Sequence, residues 1–169
     1  MATTIETNEE RATKLGVSYF FAGSNIALAD GDSIDICTDA INGRDFFLRS
    51  VIVDSDASLA EWQMYQGHEP QEGTGQVITL NSRNPGAKPK EPPLKAVQDP
   101  TLTQQGTPLF PVPRTLLGQT APGNNSFMYI ELLTGGYIIP KGGSALFRIT
   151  NKSGSAKTFS VLMSGRENI

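Results

Sequence analysis

Apolar residues follow a period of two in short runs along most of this chain. Between residues 33 and 38, for example, Ile34 and Ile36 alternate with Asp35 and Cys37. A period of two places successive side chains on opposite faces of a β-strand. Each run is short and ends at Gly, Asn, Asp or Ser, which are typical turn residues. The pattern therefore predicts strands joined by turns, and no convincing amphipathic helix separates them.

The strand-like runs are spaced as in a β-sandwich. They cover residues 16–22, 33–38, 45–53, 59–67, 76–81, 115–119, 126–133, 137–139, 144–151 and 157–164. The run at 45–53 is apolar on both faces, which predicts a central strand covered on both sides. The last two runs predict a hairpin. Together they favour an all-β, jelly-roll-like β-sandwich of about nine or ten short strands, forming a single domain over residues 15–169.

Two segments depart from this pattern. Residues 1–14 are polar and lack an apolar period, so they predict a flexible N-terminal arm or a marginal first helix turn. Residues 85–113 contain eight of the eleven prolines. Because proline cannot donate to a strand ladder, this stretch is expected to be a long loop or extended arm inserted in the domain, and not a central strand.

The proline-rich segment also carries apolar side chains that a purely solvated linker would not need. They are Leu94, Val97, Leu102, Leu109, Phe110 and Val112. Loops of this length in compact domains are usually either functional or disordered. We therefore expect an arm that lies across its own or a neighbouring subunit, with these six residues as the candidate interface; the alternative is a disordered loop.

Charge is unevenly distributed along the chain. Residues 1–70 carry twelve acidic and four basic side chains, a sum of −8, and residues 71–169 carry five acidic and ten basic ones, a sum of +5. This asymmetry has two interpretations. Either the acidic surface of one copy faces the basic surface of another, or folding interleaves the charges into a mixed surface. The positive charge of the proline-rich segment is too sparse to predict direct binding of nucleic acid.

The composition also limits the cellular context. A single cysteine excludes an intramolecular disulfide. The first residues are acidic where a signal peptide would be basic and then apolar, and no run approaches the ~18 apolar residues of a membrane span. We therefore expect synthesis and folding in the cytoplasm, with no membrane partner.

Candidate catalytic chemistry is sparse. The single histidine, His68, lies in a Gln-Gly-His-Glu-Pro stretch and is expected on a surface loop, whereas a cupin-type metal site needs several ligands. Cys37 has no basic neighbour and is expected to be an inert packed thiol. A group of aspartates resembles a calcium loop but fails the EF-hand spacing, and is interpreted as turn carboxylates: Asp30, Asp32, Asp35 and Asp39. We therefore predict no catalytic, cofactor or metal site and no enzymatic activity.

Aromatic residues offer one further possibility. Trp62, Tyr65 and Tyr137 could form a sugar-stacking surface. Alternation, however, places Trp62 on the same face as Met64, and an apolar face of this kind is more often core.

The order of several segments resembles small structural proteins of tailed bacteriophage virions, particularly the jelly-roll cement or decoration proteins of the capsid surface. The similarity covers roughly residues 45–164. It rests on Phe-Phe-Leu-Arg-Ser-Val-Ile-Val-Asp-Ser-Asp-Ala at 46–57, Met-Tyr-Gln-Gly at 64–67, Asn-Ser-Arg-Asn at 81–84, Asp-Pro-Thr-Leu-Thr-Gln-Gln-Gly-Thr-Pro-Leu at 99–109, and Ile-Pro-Lys-Gly-Gly-Ser-Ala-Leu-Phe-Arg-Ile-Thr-Asn-Lys-Ser-Gly at 139–154.

This resemblance implies a protein made in the host cytoplasm that binds the outside of an assembled capsid and bridges subunits of the major capsid protein. It also implies a homo-oligomer, either a dimer or a trimer, located at the virion surface. The alternatives are a carbohydrate- or receptor-binding jelly-roll module of a phage tail or head fibre, and a hydrolase or isomerase on the same fold.

Overall fold

The computed structural model describes residues 7–40, 44–84, 86, 93–117, 126–131 and 136–167, and at 8, 9 and 126–131 it describes the backbone alone. Within these ranges it contains one helix and sixteen strands. Helix α1 spans Asn8–Lys14. The strands are β1 (Ser18–Ala22), β2 (Ile26–Leu28), β3 (Ser33–Ala40), β4 (Phe46–Ser55), β5 (Leu59–Gln66), β6 (Glu69–Pro70), β7 (Gln76–Ile78), β8 (Asn81–Ser82), β9 (Leu94–Gln98), β10 (Leu102–Gln104), β11 (Thr107–Pro108), β12 (Arg114–Leu117), β13 (Ser126–Glu131), β14 (Tyr137–Ile139), β15 (Ser144–Asn151) and β16 (Lys157–Glu167).

The strands form two large antiparallel sheets and one small ribbon. Sheet 1 has the order β13–β4–β16–β1–β8, with β14 also beside β4 and β2 beside β16. Sheet 2 has the order β11–β5–β15–β3–β9–β7, with β12 also beside β5. Strands β6 and β10 pair with each other and form the ribbon. The predicted all-β sandwich is confirmed, while the specific jelly-roll connectivity stays a prediction.

The core lies between the two sheets, where the inward residues of the alternating runs meet. Sheet 1 contributes Phe21, Val51, Val53, Phe159 and Val161, and sheet 2 contributes Ile34, Ile36, Met64, Phe147 and Ile149. Fully burying each of these side chains stabilises the fold by roughly 1.5–3 kcal/mol relative to leaving it exposed. The alternate apolar residues of these runs are therefore the ones whose side chains point into this core.

Strand β4 is central in sheet 1, as predicted, but only one of its faces is buried. Leu48, Val51 and Val53 point into the core, whereas Ile52 and Asp54 on the other face are partly exposed. The prediction that both faces are covered is wrong. The apolar residues of the outer face remain partly accessible to solvent.

Strand β4 also contains a β-bulge. Ser50 lies opposite Ser164, but the next pair is Leu48 with Gly165, so Arg49 is an extra residue on the β4 side. Because Leu48 and Val51 both point inward, Arg49 and Ser50 are two consecutive residues on the outer face.

The predicted hairpin of the last two strands is wrong. Strand β15 pairs with β3 and β5 in sheet 2, and β16 pairs with β1 and β4 in sheet 1. The connection is a crossover between sheets that is fixed by the buried Asn151. Its amide nitrogen donates to the carbonyl oxygens of Leu28 at 2.9 Å and Ser155 at 2.8 Å, and its side-chain oxygen accepts from the backbone N–H of Ser153 at 3.0 Å.

The proline-rich segment contains an internal strand, contrary to prediction. Strand β9 lies between β3 and β7 and hydrogen-bonds to both. It fits there because residues 94–99 are free of proline, with Pro93 before them and Pro100 after them. Residues 85 and 87–92 of the segment lie outside the described residues.

Residues 8–14 form a helix with a capping box at its start. The hydroxyl of Thr7 accepts from the backbone N–H of Glu10 at 3.2 Å, and the Glu10 carboxylate accepts from the backbone N–H of Thr7 at 2.8 Å. Ala12 is fully buried and anchors the helix on the sandwich. Of the two interpretations left open for this region, the described part is helical, and residues 1–6 lie outside the described residues.

Candidate functional site: an exposed sheet edge and a covered sheet face

The six predicted interface residues lie in three different environments. Leu94 and Val97 belong to β9 and are buried within the protein itself, so they are not available to a partner. Leu102 is half-buried in the ribbon, and Leu109 and Phe110 are half-buried. The last two pack against the core. Val112 is 65% exposed and is the one of the six that a partner could readily contact.

Residues 107–117, which we call the edge segment, lie along one edge of sheet 2. Strands β11 and β12 pair with β5 on either side of an intervening stretch that carries Leu109 and Phe110. The backbone N–H of Leu109 donates to Met64 O at 2.8 Å, and Gln63 Nε2 donates to Phe110 O at 2.8 Å. The segment is thus held on its own domain.

An aromatic contact reinforces this attachment. The Phe110 ring meets the Trp62 ring edge-on at 5.2 Å between centroids, and the Arg114 guanidinium lies 5.1 Å from the Phe110 ring centroid. These contacts leave Val112 and Leu117 on the surface, and Leu117 is 76% exposed. The result is an ordered strand edge that presents apolar side chains.

Strand β12 pairs on one side only within the described part of the chain. An edge strand of this kind leaves backbone N–H and C=O groups open to a further strand. Pro108, Pro111 and Pro113 remove three of the possible donors along the edge segment, so pairing with another strand is restricted to the β12 part.

Buried residues on the outer face of sheet 2 indicate that a further layer covers it. The chain leaves β5 and passes through β6 to reach β7 at the far side of the sheet, and it returns through β10 from β9 to β11. Cys37, Val97 and Leu146 lie at alternate positions that point away from the central core, yet all three are buried. We infer that the ribbon crosses over them and forms a third layer.

His68 is buried at the start of this ribbon, so the prediction of a surface loop histidine is wrong. Its Nε2 lies 3.7 Å from Asp39 Oδ1, and neither ring nitrogen has a hydrogen-bond partner among the described residues. Burial lowers the pKa of His68 below its usual 6.5, against the opposing effects of Asp39 and Asp35. The imidazole is therefore neutral at pH 7.

Cys37 is one of the buried residues on the outer face of sheet 2. Burial, followed by the charges of Asp35 and Asp39, raises the pKa of its thiol to about 12. A thiol with this pKa is protonated at neutral pH and has no nucleophilic role. The predicted packed cysteine is confirmed.

The aspartates of the calcium-like stretch serve separate structural contacts. Asp35 accepts two hydrogen bonds from Arg148, at 2.7 Å from Nε and 2.6 Å from Nη2. Asp30 Oδ1 accepts from the backbone N–H of Gly154 at 2.9 Å. In the part of the chain that the structure describes, no group of three His, Cys, Asp or Glu side chains could hold a metal ion.

The aromatic residues considered for sugar binding do not share a surface. Trp62 is buried and stacks on Phe147 at 5.5 Å, which confirms its expected place in the core. Tyr65 points to the opposite face of β5, where Arg148 lies 5.7 Å from its ring centroid. Tyr137 is in β14 and belongs to the other sheet.

A polar pocket that the sequence did not indicate opens near the end of β4. It has a volume of about 240 Å³ and is lined by Asn25, Asp54, Ser55, Asp56 and Thr158. Asp54 Oδ1 is buried and has no hydrogen-bond partner among the described residues. Asp56 is already engaged, because it accepts from the backbone N–H of Thr158 at 2.8 Å. A buried carboxylate oxygen without a donor is unfavourable, so the pocket suits a cationic group.

No protein-family model matches this chain, and searches of curated proteins and of solved structures also find no match. In the part of the chain that the structure describes, no helix is long and apolar enough to cross a membrane.

Proposed function

We propose that this protein is a non-catalytic structural component of a bacteriophage virion, a cement or decoration protein that binds the outside of the capsid. The observation that carries the proposal is the edge segment, on which Val112 and Leu117 are exposed while Phe110 fixes the backbone beneath them. The identity of the partner, the major capsid protein, rests on the sequence resemblance described above.

The edge segment suits the role of a bridge between shell subunits. Its backbone is already ordered by β5, so binding does not require the loss of much chain entropy. Within the described part of the chain no strand lies on the side of β12 away from β5, so a partner can add a strand there, and Leu117 supplies an apolar contact beside it. A few such contacts are enough, because many equivalent copies act together on one particle.

The alternative is a carbohydrate- or receptor-binding module of a phage tail or head fibre. That function requires Trp62 or the tyrosines to line an open groove. Trp62 lies in the core and Tyr137 in the other sheet. No described feature favours sugar binding over shell binding.

The test is co-sedimentation of the purified protein with assembled shells of the major capsid protein from the same phage. We expect wild-type protein to sediment with shells and not with unassembled subunits. Val112→Glu and Leu117→Glu should each weaken binding by roughly 10-fold or more, since a charge replaces an apolar contact.

The matched control is Val77→Glu. Val77 is 69% exposed on β7, at the opposite edge of sheet 2, so the same kind of change leaves the edge segment intact. The proposal fails if wild-type protein remains in the supernatant, or if Val77→Glu weakens binding as much as the two edge variants.

A further inference from the structure

The ribbon belongs to a two-chain strap that is attached to sheet 2 at both ends. One chain, residues 67–75, connects β5 to β7, and the other, residues 100–106, lies between β9 and β11. At one end β5 pairs with β11 and at the other β7 pairs with β9, at opposite edges of sheet 2. Gly67 and Gly75 have positive φ angles of 64° and 78° and stand at the two ends of the first chain, as hinge residues often do.

The hydrogen bonds of the strap join its two chains to each other. The backbone N–H of Gln71 donates to Thr101 O at 2.7 Å, and Thr103 Oγ1 donates to Glu69 O at 2.9 Å. All four of these residues are exposed. A segment with exposed hydrogen bonds and few buried apolar side chains is among the first parts of a protein to open locally.

His68 joins the strap to sheet 2. Its side chain is fully buried, and its Nε2 lies 3.7 Å from Asp39 Oδ1 on β3. Neither ring nitrogen has a hydrogen-bond partner among the described residues. In the charged imidazolium both nitrogens are donors, and a buried charge without hydrogen-bond partners is unfavourable. This position therefore suits the neutral ring.

Two carboxylates of β3 offset only part of this cost. Asp39 is 35% exposed, so solvent weakens its attraction for a charged ring. Asp35 already accepts two hydrogen bonds from Arg148, at 2.7 and 2.6 Å. Burial outweighs both carboxylates and holds the pKa of His68 below 6.5.

The other titratable groups near His68 do not stabilise its charged form. Lys95 of β9 lies opposite Asp39 in the strand register and is exposed. Glu69, the next residue of the strap, is exposed and screened by solvent. Burial raises the pKa of the Cys37 thiol to about 12, so it is uncharged at neutral pH.

We propose that the strap is an acid-sensitive device, in which protonation of His68 releases residues 67–75 and 100–106 from sheet 2 while the sandwich stays folded. The open strap exposes His68 to water, where it binds a proton as an ordinary histidine does. The proposal does not depend on shell binding, because the edge segment has its own attachment to β5, including the bond from the Leu109 N–H to Met64 O at 2.8 Å.

The expected size of the effect follows from proton linkage. The open form has an ordinary histidine pKa near 6.5 and the closed form a lower one. Opening is therefore favoured as pH falls below 6.5. Between pH 7.5 and 5.5 the equilibrium constant for opening should rise by up to about 10-fold.

Hydrogen exchange of the intact protein, followed residue by residue by NMR, tests this. The Gln71 amide reports on the strap, and the amide of the buried Asn151, which donates to Asp32 O at 2.9 Å, reports on the sandwich. Each rate is divided by that of an unstructured peptide at the same pH. We expect Gln71 to be far less protected than Asn151, and its protection to fall by up to about 10-fold from pH 7.5 to 5.5.

Three variants assign the response to His68. His68→Leu should abolish the pH dependence of Gln71 protection, whereas Glu69→Gln, the matched change at the exposed neighbouring carboxylate, should retain it. Asp39→Asn should leave protection at pH 7.5 nearly unchanged, because the ring is neutral there. At pH 4.5 it should lower protection below that of the wild type, because the buried imidazolium has lost its counter-charge.

Several outcomes overturn the proposal. One is a Gln71 amide as protected as Asn151, which would mean that the strap opens only with the whole sandwich. Another is protection that stays constant or rises at pH 5.5, which would mean that charged His68 fastens the strap to Asp39. A third is a pH response that persists in His68→Leu. If that variant does not fold, equal protection of Asp39→Asn and the wild type at pH 4.5 contradicts the proposal.

Discussion

At the scale of single residues, His68 illustrates how tertiary burial reverses an expectation from local sequence. Its neighbours are polar and turn-like, but the folded chain buries it beside Asp39 of sheet 2. Burial lowers its pKa in the folded protein below the unfolded value of 6.5. As pH falls below about 6.5, the unfolded chain binds a proton first, so the free energy of unfolding decreases until pH reaches the folded pKa.

We therefore expect the protein to be less stable at pH 5.5 than at pH 7.5, with a slope of at most about 1.4 kcal/mol per pH unit from this residue. His68→Leu should remove that slope and leave stability at pH 7.5 unchanged or higher, because no unpaired ring nitrogen remains buried. Urea unfolding of both proteins at several pH values measures this. His68 is the only histidine, so an equal slope in the two proteins would contradict the prediction.

At the scale of elements, β16 shows which part of a strand the sequence pattern detects. Phe159, Val161 and Met163 alternate and predict the strand, but β16 continues to Glu167, beyond the apolar pattern. Its last residues are buried by long-range contacts. Glu167 accepts a hydrogen bond from Tyr19 Oη at 3.1 Å and pairs with Arg44.

Gly165 is needed in this continuation because another strand approaches it closely. A Cβ at this position would lie 2.4 Å from Phe47 O and 2.5 Å from Phe46 Cε1. We expect Gly165→Ala to lower the free energy of unfolding by roughly 1–3 kcal/mol, the usual cost of overpacking. Ser160→Ala, in the same strand and half-buried, should change it by less than about 0.5 kcal/mol. Thermal unfolding of both variants gives the comparison, and equal melting temperatures would contradict it.

At the scale of the whole molecule, folding brings the acidic first part of the chain onto the basic second part. Three pairs join the two parts across the sandwich and its turns: Asp35 with Arg148, Glu61 with Lys152, and Asp56 with Lys157. These contacts favour the interpretation that folding interleaves the charges.

These pairs are not equally important for stability. Asp35 and Arg148 are largely buried and form two hydrogen bonds, whereas Glu61 and Lys152 are exposed and 3.9 Å apart. We expect Asp35→Asn to lower the free energy of unfolding by about 1.5–3 kcal/mol and Glu61→Gln by less than about 0.5 kcal/mol. Urea unfolding at neutral pH measures both. The argument fails if the exposed pair matters as much as the buried one.

The candidate site was predictable only in part. The sequence indicated that apolar residues in the proline-rich segment have a structural role, and Val112 is exposed as an interface residue should be. It could not separate Val112 from Leu94 and Val97, because an apolar side chain has the same chemistry in a core and at an interface. No sequence pattern indicated the polar pocket at Asp54, because the pocket forms only where β4, β16 and the residue before β2 meet.

The sequence by itself determined that the chain is built mainly of strands, and it located several of the long strands and the face that each of them buries. The alternation in β3, β5 and β15 was sufficient, because the direction of successive side chains is a local property of extended backbone. The tertiary structure alone decided which strands pair, that β15 and β16 lie in different sheets, and that His68 is covered. These outcomes depend on contacts between residues far apart in the chain, such as Asp35 and Arg148 at a separation of 113 residues, and no local pattern encodes such contacts.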